Sequence, residues 1–341
     1  MLNLMEFWGQ RRCAVHKLST KKALLAFILF GWVLLLVADR VDELRVYQGA
    51  TIAITTLSIA SIILLTGYSG QVSLGHGAFL AFGAYAAALT QTNLQSPFWF
   101  TLLVAVMVSA AFGFILGFAA GRLSGPYLAG TTLALAVGLP TLANQFSFLG
   151  GETGLVYDAG MPPARFGEEF TLYKWFFWIA AFVVLIAMFL LRNLLNSRFG
   201  RTWKSLRANP TAASLCGVNV AQSKVLAFTI SAGVAGLSGA LLGMISIVAP
   251  SAFPLSLSFA IITGAILAGV TSLLGSMLGA VVLVVIPEIA DVISHQLGGS
   301  EKVTTNLPGF IVSVLLILTV LFSPNGPAEA MRKRREEHAK H

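Results

Sequence analysis

Thr66-Gly67-Tyr68-Ser69-Gly70-Gln71-Val72-Ser73-Leu74-Gly75-His76-Gly77-Ala78-Phe79 carries four glycines, two serines, a glutamine and a histidine, and no charge. It lies between two apolar runs, 48–66 and Phe79–Thr90. A loop in water would be wetter and would not resume directly as an apolar run. Irregular backbone at membrane depth is tolerated where protein buries it or where it lines a cavity. Interrupted helices of this kind commonly form transport sites, because their free N–H and C=O groups hold polar solutes. The stretch predicts a helix broken near 67–77, with Gly67, Tyr68, Gly70, Gln71, Ser73, Gly75, His76 and Phe79 along a translocation path. The structural alternative is a tight turn whose glycines serve packing. No second His, Cys or carboxylate is spaced to complete a metal site with His76, so a hydrogen-bonded His76 bracing the break is the expectation.

Outward from this stretch the chain stays apolar. Of 341 residues, 56% are hydrophobic and 11% charged, and the mean hydropathy is +0.82. Soluble domains carry roughly 25% charged residues, so this chain lacks the polar surface to face water all round. Apolar runs near spanning length recur at 23–38, 48–66, 74–91, 98–121, 125–148, 173–191, 225–248, 256–274, 276–296 and 307–322. The fold class expected is an all-α membrane protein, a polytopic bundle of about ten transmembrane helices. Glycines at helix-packing spacing (Gly113, Gly117, Gly121; Gly236, Gly239, Gly243; Gly275, Gly279) fit close approach of helices in lipid.

The net charge of +8 is a topology signal and does not point to nucleic acid. Arg11, Arg12, Lys17, Lys21 and Lys22 precede the first run. Arg192, Arg198, Arg201, Lys204, Arg207 and Lys224 surround the central loop without an acid, and Arg332, Lys333, Arg334, Arg335 and Lys340 fill the tail. Excess Lys and Arg mark cytoplasmic segments. Ten spans place these clusters and both termini in the cytoplasm, and Asp39–Arg45, Gly151–Lys174 and Asp291–Asn306 outside. The organisation expected is a cytoplasmic segment 1–22, a membrane domain 23–322 with a cytoplasmic loop 192–224, and a basic tail 323–341. The run 23–38 has a long leading segment and no small-x-small cleavage site before Asp39, so it reads as a retained span. Cys13 and Cys216 both fall in cytoplasmic segments and are expected as free thiols.

What the sequence lacks narrows the function. No Asp, Glu, Lys or Arg sits near the middle of a span, and Glu288, after Pro287, lies toward a span's end. Ion-coupled carriers usually place ionisable groups at depth, which leaves a secondary carrier or channel as the alternative reading. There is no Gly-x-x-x-x-Gly-Lys-[Ser/Thr] phosphate loop, no plausible catalytic triad and no metalloprotease motif. The chain is expected to be neither an enzyme nor a cofactor binder, and energy for uphill transport would enter through another subunit.

The loop Asn196–Asn219 is built to receive one. Asn209 suits an N-cap, Pro210 the first helical position and Gly217 a C′ stop. They predict a short helix Pro210–Cys216 with Ala212, Ala213 and Ser214 on a small-residue face, preceded by Arg201, Lys204 and Arg207 at helical spacing. Anionic lipid would need only the charge. The defined start and stop favour protein docking through Arg201, Lys204, Arg207, Asn209, Pro210, Ala213 and Gly217.

At these residues the chain resembles the permease subunits of branched-chain amino-acid ABC importers, of the LivM/LivH type. Gly67-Tyr68-Ser69-Gly70-Gln71-Val72-Ser73-Leu74-Gly75-His76 is similar to that family's G-Y-x-G-Q-x-S-L-G-H stretch. Gly200-Arg201 through Arg207, Ala212-Ala213 and Gly217-Val218-Asn219 resemble its ATPase-contacting loop. Gly150-Gly151 with Gly154-Leu155, Pro250 with Phe253, Pro287-Glu288 and Phe322-Ser323-Pro324-Asn325-Gly326 extend the likeness over about residues 50–326. The resemblance implies a bacterial inner-membrane permease working with cytoplasmic ATP-binding subunits, a second homologous permease and a periplasmic solute-binding protein. Departures at Ile262–Gly269, Gly275-Ser276, Glu152-Thr153 and Thr131–Gln145 leave the solute open among branched-chain amino acids, urea, short amides and other small solutes.

Overall fold

The computed structural model describes residues 40–122, 126–157, 159–167 and 170–296, with parts of 25–34 and 310–321. The expected segment 1–22 and tail 323–341 lie outside the described residues. The two terminal spans expected from the sequence, 23–38 and 307–322, are described only in part, and what is described there is helical.

Every major element is a helix. They are α1 Glu43–Ile62, which continues as a π-turn over Ile63–Tyr68, then α2 His76–Leu94, α3 Phe98–Arg122, α4 Pro126–Gln145 and α5 Leu172–Asn196. After them come α6 Arg198–Ala208, α7 Pro210–Leu215, α8 Val220–Ile245, α9 Leu255–Ala268 and α10 Gly275–Gln296. Single 3-10 turns sit at Ser147–Leu149, Ala164–Phe166 and Pro250–Ala252. Among the described residues, five helices are long and apolar enough to cross a membrane: Glu43–Tyr68, Phe98–Gly121, Leu172–Asn196, Val220–Ile245 and Pro250–Ala268. Gly275–Ile289 is a shorter apolar helix. The all-helical membrane architecture is thus present.

The core forms where α8 crosses α3, α2 and α1. Glycine lets these backbones meet: a Cβ on Gly239 would stand 1.9 Å from the Leu80 carbonyl oxygen, and one on Gly113 2.3 Å from the Ala232 methyl. Such contact replaces the hydrophobic drive that lipid does not supply between helices. Serine hydroxyls then stitch the seam. Ser58 and Ser238 share a hydrogen bond of 2.6 Å, Ser231 donates to the Ser61 carbonyl at 2.7 Å, and Ser109 of α3 bonds the Ala232 carbonyl at 2.7 Å. Phe79 and Phe228 close the centre edge-on, 5.8 Å apart and both fully buried.

Two helices depart from the spans the sequence suggests. The apolar run 256–274 folds as a helix of only 14 residues, because Gly269 adopts φ +83° and stops α9 after Ala268. In α4, Gly130 and Gly138 face open space and Tyr127, Val137 and Leu142 are exposed, so this helix is lightly held. The element order gives the bundle two ends. One, here the loop end, carries α6 and α7; the other, the far end, carries 147–171 and 246–254.

Candidate functional site: the glycine break and the loop helices

The break begins inside α1. Its last turn widens to π-winding over Ile63–Tyr68, the backbone leaves the helix at Ser69, and regular helix resumes at His76. Widened turns of this sort are rare and often mark functional sites. Six residues, 70–75, therefore run without regular structure between two buried helices. They do not stay at the surface. The Leu74 N–H donates to the Thr132 hydroxyl at 3.0 Å, and the Gly77 N–H donates to the Ser258 hydroxyl at 2.9 Å. Ser61, roughly 10 Å up α1 from Tyr68 at 1.5 Å per residue, shares a bond of 2.7 Å with His76 Nε2. The segment thus re-enters the bundle beside the helix it has just left.

Glycine is required at both of its edges. A Cβ on Gly75 would lie 1.7 Å from the Thr132 carbonyl oxygen, and one on Gly67 1.8 Å from that of Val270. Between them, Gln71 is buried and its amide nitrogen donates to the Ser69 hydroxyl at 2.7 Å and to the Lys224 carbonyl at 3.2 Å. Thr66 closes over the segment by donating to the Gln71 carbonyl at 3.0 Å. His76 is fully buried, edge-on to Phe79 at 5.8 Å. The Ser61 hydroxyl also lies 2.6 Å from the Ser58 carbonyl. The other nitrogen of the His76 ring, Nδ1, has no such neighbour. That Nδ1, the Ser73 hydroxyl and the Gln71 carbonyl oxygen are all buried and without a hydrogen-bond partner. Three orphaned polar atoms in six residues are costly in an apolar interior. Gly70 and Val72 are exposed, whereas Ser73, Gly75, His76 and Phe79 are enclosed by protein.

The loop helices close on this break. Ser197 caps α6, accepting from the Phe199 N–H at 3.2 Å. Asn209 caps α7, accepting from the Ala212 N–H at 3.0 Å, and Pro210 takes the first helical position. The helix ends at Leu215, one residue short of the sequence expectation. Gly217 follows at φ +81°, with the Val218 N–H bonded back to the Ala213 carbonyl at 3.1 Å. Trp203 anchors α6: it is buried and its Nε1–H donates to the Ser223 carbonyl at 3.0 Å.

Sequence reasoning treated the path residues and the docking residues as separate sets. The structure brings part of each together. The Arg207 guanidinium donates to the Gly67 carbonyl, and its stem lies beside Gly70, which sits at φ +73°. Lys204 Nζ stands 4.9 Å from the centre of the Tyr68 ring, over its face, where an ammonium is attracted to the π-cloud. These two cations are therefore turned toward the break. Arg201 and Pro210 remain exposed on the loop, and Ala213 is buried. Cys216 is a free, exposed thiol. Among the described residues, no group of three or more His, Cys, Asp or Glu could hold a metal.

Residues 45–320 match a family model described as branched-chain amino acid transport system / permease component. The chain belongs to that family. It is 32% identical over 271 residues to the high-affinity branched-chain amino acid transport system permease protein LivM of Escherichia coli (strain K12), covering 70% of this chain and 63% of the relative. It therefore spans less than two thirds of the length of that LivM relative. The corresponding LivH of the same organism is 25% identical over 304 residues, 83% of this chain and 94% of that protein. A probable LivM of Methanocaldococcus jannaschii is 20% identical over 236 residues, 66% of this chain and 67% of the relative. No solved structure matches the chain.

One contribution to the break was not visible in the sequence of the break itself. Thr132 and Ser258, from α4 and α9, supply the hydroxyls that bond its backbone. A lone hydroxyl in an apolar helix is too common to single them out.

Proposed function

We propose that the chain is the permease subunit of a bacterial ABC importer, carrying branched-chain amino acids or a related small polar solute through the inner membrane. In this reading it spans the membrane about ten times, the partly described segments near 25–34 and 310–321 supplying the first and last spans. Both termini and the loop end face the cytoplasm. Two ATP-binding subunits grip α6 and α7, a second homologous permease completes the path, and a periplasmic binding protein delivers the solute at the far end.

The observation that carries this reading is the clasp between loop helix and break, with the Arg207 guanidinium on the Gly67 carbonyl and Lys204 over Tyr68. The proposed cycle starts with the break sealed. An ATPase that moves α6 and α7 pulls on Gly67 and Gly70 through Arg207. Because 70–75 has no internal helical bonds to break, it yields before its neighbours. Gln71, Ser73 and His76, whose orphaned atoms are costly while buried, then gain solute or water partners along the opened path. The family relatives' printed role in branched-chain amino acid transport supports the solute class.

The test is reconstitution of the full complex in liposomes, with ATP-driven uptake and ATP hydrolysis followed together. Arg207→Glu is expected to leave the ATPase bound and hydrolysing while uptake falls at least tenfold. Unchanged uptake in that variant would remove the clasp from the mechanism. Failure of the intact chain to retain an ATP-binding subunit, or uptake by this chain alone under an ion gradient, would overturn the importer reading.

A further inference from the structure

At the far end, α4 and the turn 250–255 enclose a cavity of about 640 Å³, within the 300–1,000 Å³ range of small-molecule sites. Val137, Pro140, Pro250 and Leu255 line it with apolar surface, and Asn144 and Glu152 bring polar groups to it. Glu152 is its one charged lining residue, and no partner holds that carboxylate among the described residues.

The glutamate stands on a built turn. In Gly150-Gly151-Glu152-Thr153-Gly154, the Gly154 N–H donates to the Gly150 carbonyl at 3.1 Å and the Thr153 hydroxyl to the same carbonyl at 2.8 Å. Gly150 and Gly154 sit at φ +83° and +74°, conformations that a side chain would strain. The turn is then pinned to the cavity's other wall. Leu155 and Val248 exchange both backbone hydrogen bonds, at 2.9 and 3.0 Å. Just beyond, Tyr157 is buried beneath α3 with its hydroxyl 3.0 Å from that of Thr101. A carboxylate carried on this turn at the rim of an otherwise uncharged, largely apolar cavity presents an acceptor beside a greasy wall.

We infer that this cavity is the receiving site for the solute, and that Glu152 holds an ammonium group there while the apolar wall takes the aliphatic part. The inference rests on the permease reading above. Its ligand class is a small molecule with a primary ammonium next to an apolar chain; an uncharged amide such as urea offers the carboxylate N–H donors but no charge, and leaves the apolar wall unused. The mouth is open, and an exposed ion pair is weak, so the site suits transfer rather than storage.

The test is equilibrium binding of radiolabelled leucine, and separately of 4-methylpentanoate, which lacks the ammonium, to the detergent-purified permease–ATPase complex without binding protein. Leucine is expected to bind the unaltered complex, and 4-methylpentanoate to bind more weakly. Glu152→Gln is expected to weaken leucine binding about three- to tenfold, between the effect of an exposed pair and that of a well-made charged hydrogen bond, and not to weaken 4-methylpentanoate, an anion that loses only a like-charged neighbour. Asn144→Asp, which adds a second carboxylate without touching the turn, is expected to tighten leucine. That variant keeps the test decisive if Glu152→Gln does not fold. Equal leucine binding in the unaltered complex and both variants overturns the inference, as does an absence of leucine binding to the unaltered complex. Loss of capture of the empty binding protein in Glu152→Gln with leucine binding intact also overturns it, by making Glu152 a docking contact. ATP-driven uptake by the full complex with its binding protein in liposomes, run in parallel, separates the two readings: uptake without a Glu152 effect sinks only this site, and no uptake sinks the permease reading.

Discussion

The two ends of the bundle are built on opposite principles. At the loop end the backbone is irregular yet closely engaged: residues 67–77 touch α4, α6, α8, α9 and the turn after it, and Gly67 and Gly75 have no room for a methyl group. At the far end α4 is helical throughout yet loosely held, with Gly138 facing open space and a cavity beside it. Irregular backbone is costly in an apolar medium unless every group finds a partner, so the break must be locked by its neighbours. A helix satisfies its own backbone and can stand with little support. The bundle thus holds its weakest local structure by its tightest packing, and leaves its self-sufficient helix free.

That contrast can be broken first at Gly75. Gly75→Ala puts a methyl against the Thr132 carbonyl, at or beyond the top of the usual overpacking cost of about 3 kcal/mol. The expected outcome is loss of monodisperse protein on size exclusion in detergent, and a normal profile would mean that α4 gives way easily. Next in size is Arg207→Met, which leaves the Gly67 carbonyl without its donor. It is expected to lower stability by about 1–3 kcal/mol, read as an earlier thermal transition. A smaller loss, about 1 kcal/mol, is expected for Ser61→Ala, which removes the His76 partner but not the ring packing on Phe79. The smallest effect belongs to the other end. Gly138→Ala meets nothing within 4 Å and gains helix propensity, so its midpoint is expected to stay level or rise by an amount worth under about 1 kcal/mol. A large loss there would show that α4 is pressed against a partner at that point.

Legibility followed the same division. The break was readable because glycines and small polar residues cluster there between apolar runs, where an unbroken spanning helix would carry aliphatic side chains. The loop helices were readable because Asn209, Pro210 and Gly217 each do one job at a helix end. The π-turn was not, since Ile63–Tyr68 has the composition of any apolar helix and its winding comes from the bonds made around it. Nor was the direction of Arg207 and Lys204. Counting charges assigns a loop to one side of a membrane but does not say whether a cation points to lipid, to a partner or back into its own chain. Glu152 stood out in the sequence only as a departure from pattern. Its place at a cavity depends on Leu155 meeting Val248, a pairing 93 positions apart that no local signal announces.

The early stop of α9 has a consequence for distance. Fourteen residues of helix measure about 21 Å, against a hydrocarbon layer of about 30 Å. The cavity reaches the start of α9 at Leu255 and the turn before it at Pro250, and the break meets the region beyond its other end at Val270. Only with the turn that opens at Pro250 does this segment reach the 19 residues of a spanning length. In the proposed receiving site a solute against Leu255 would rest at the first turn of this helix, about 21 Å of helix from the Gly269 stop.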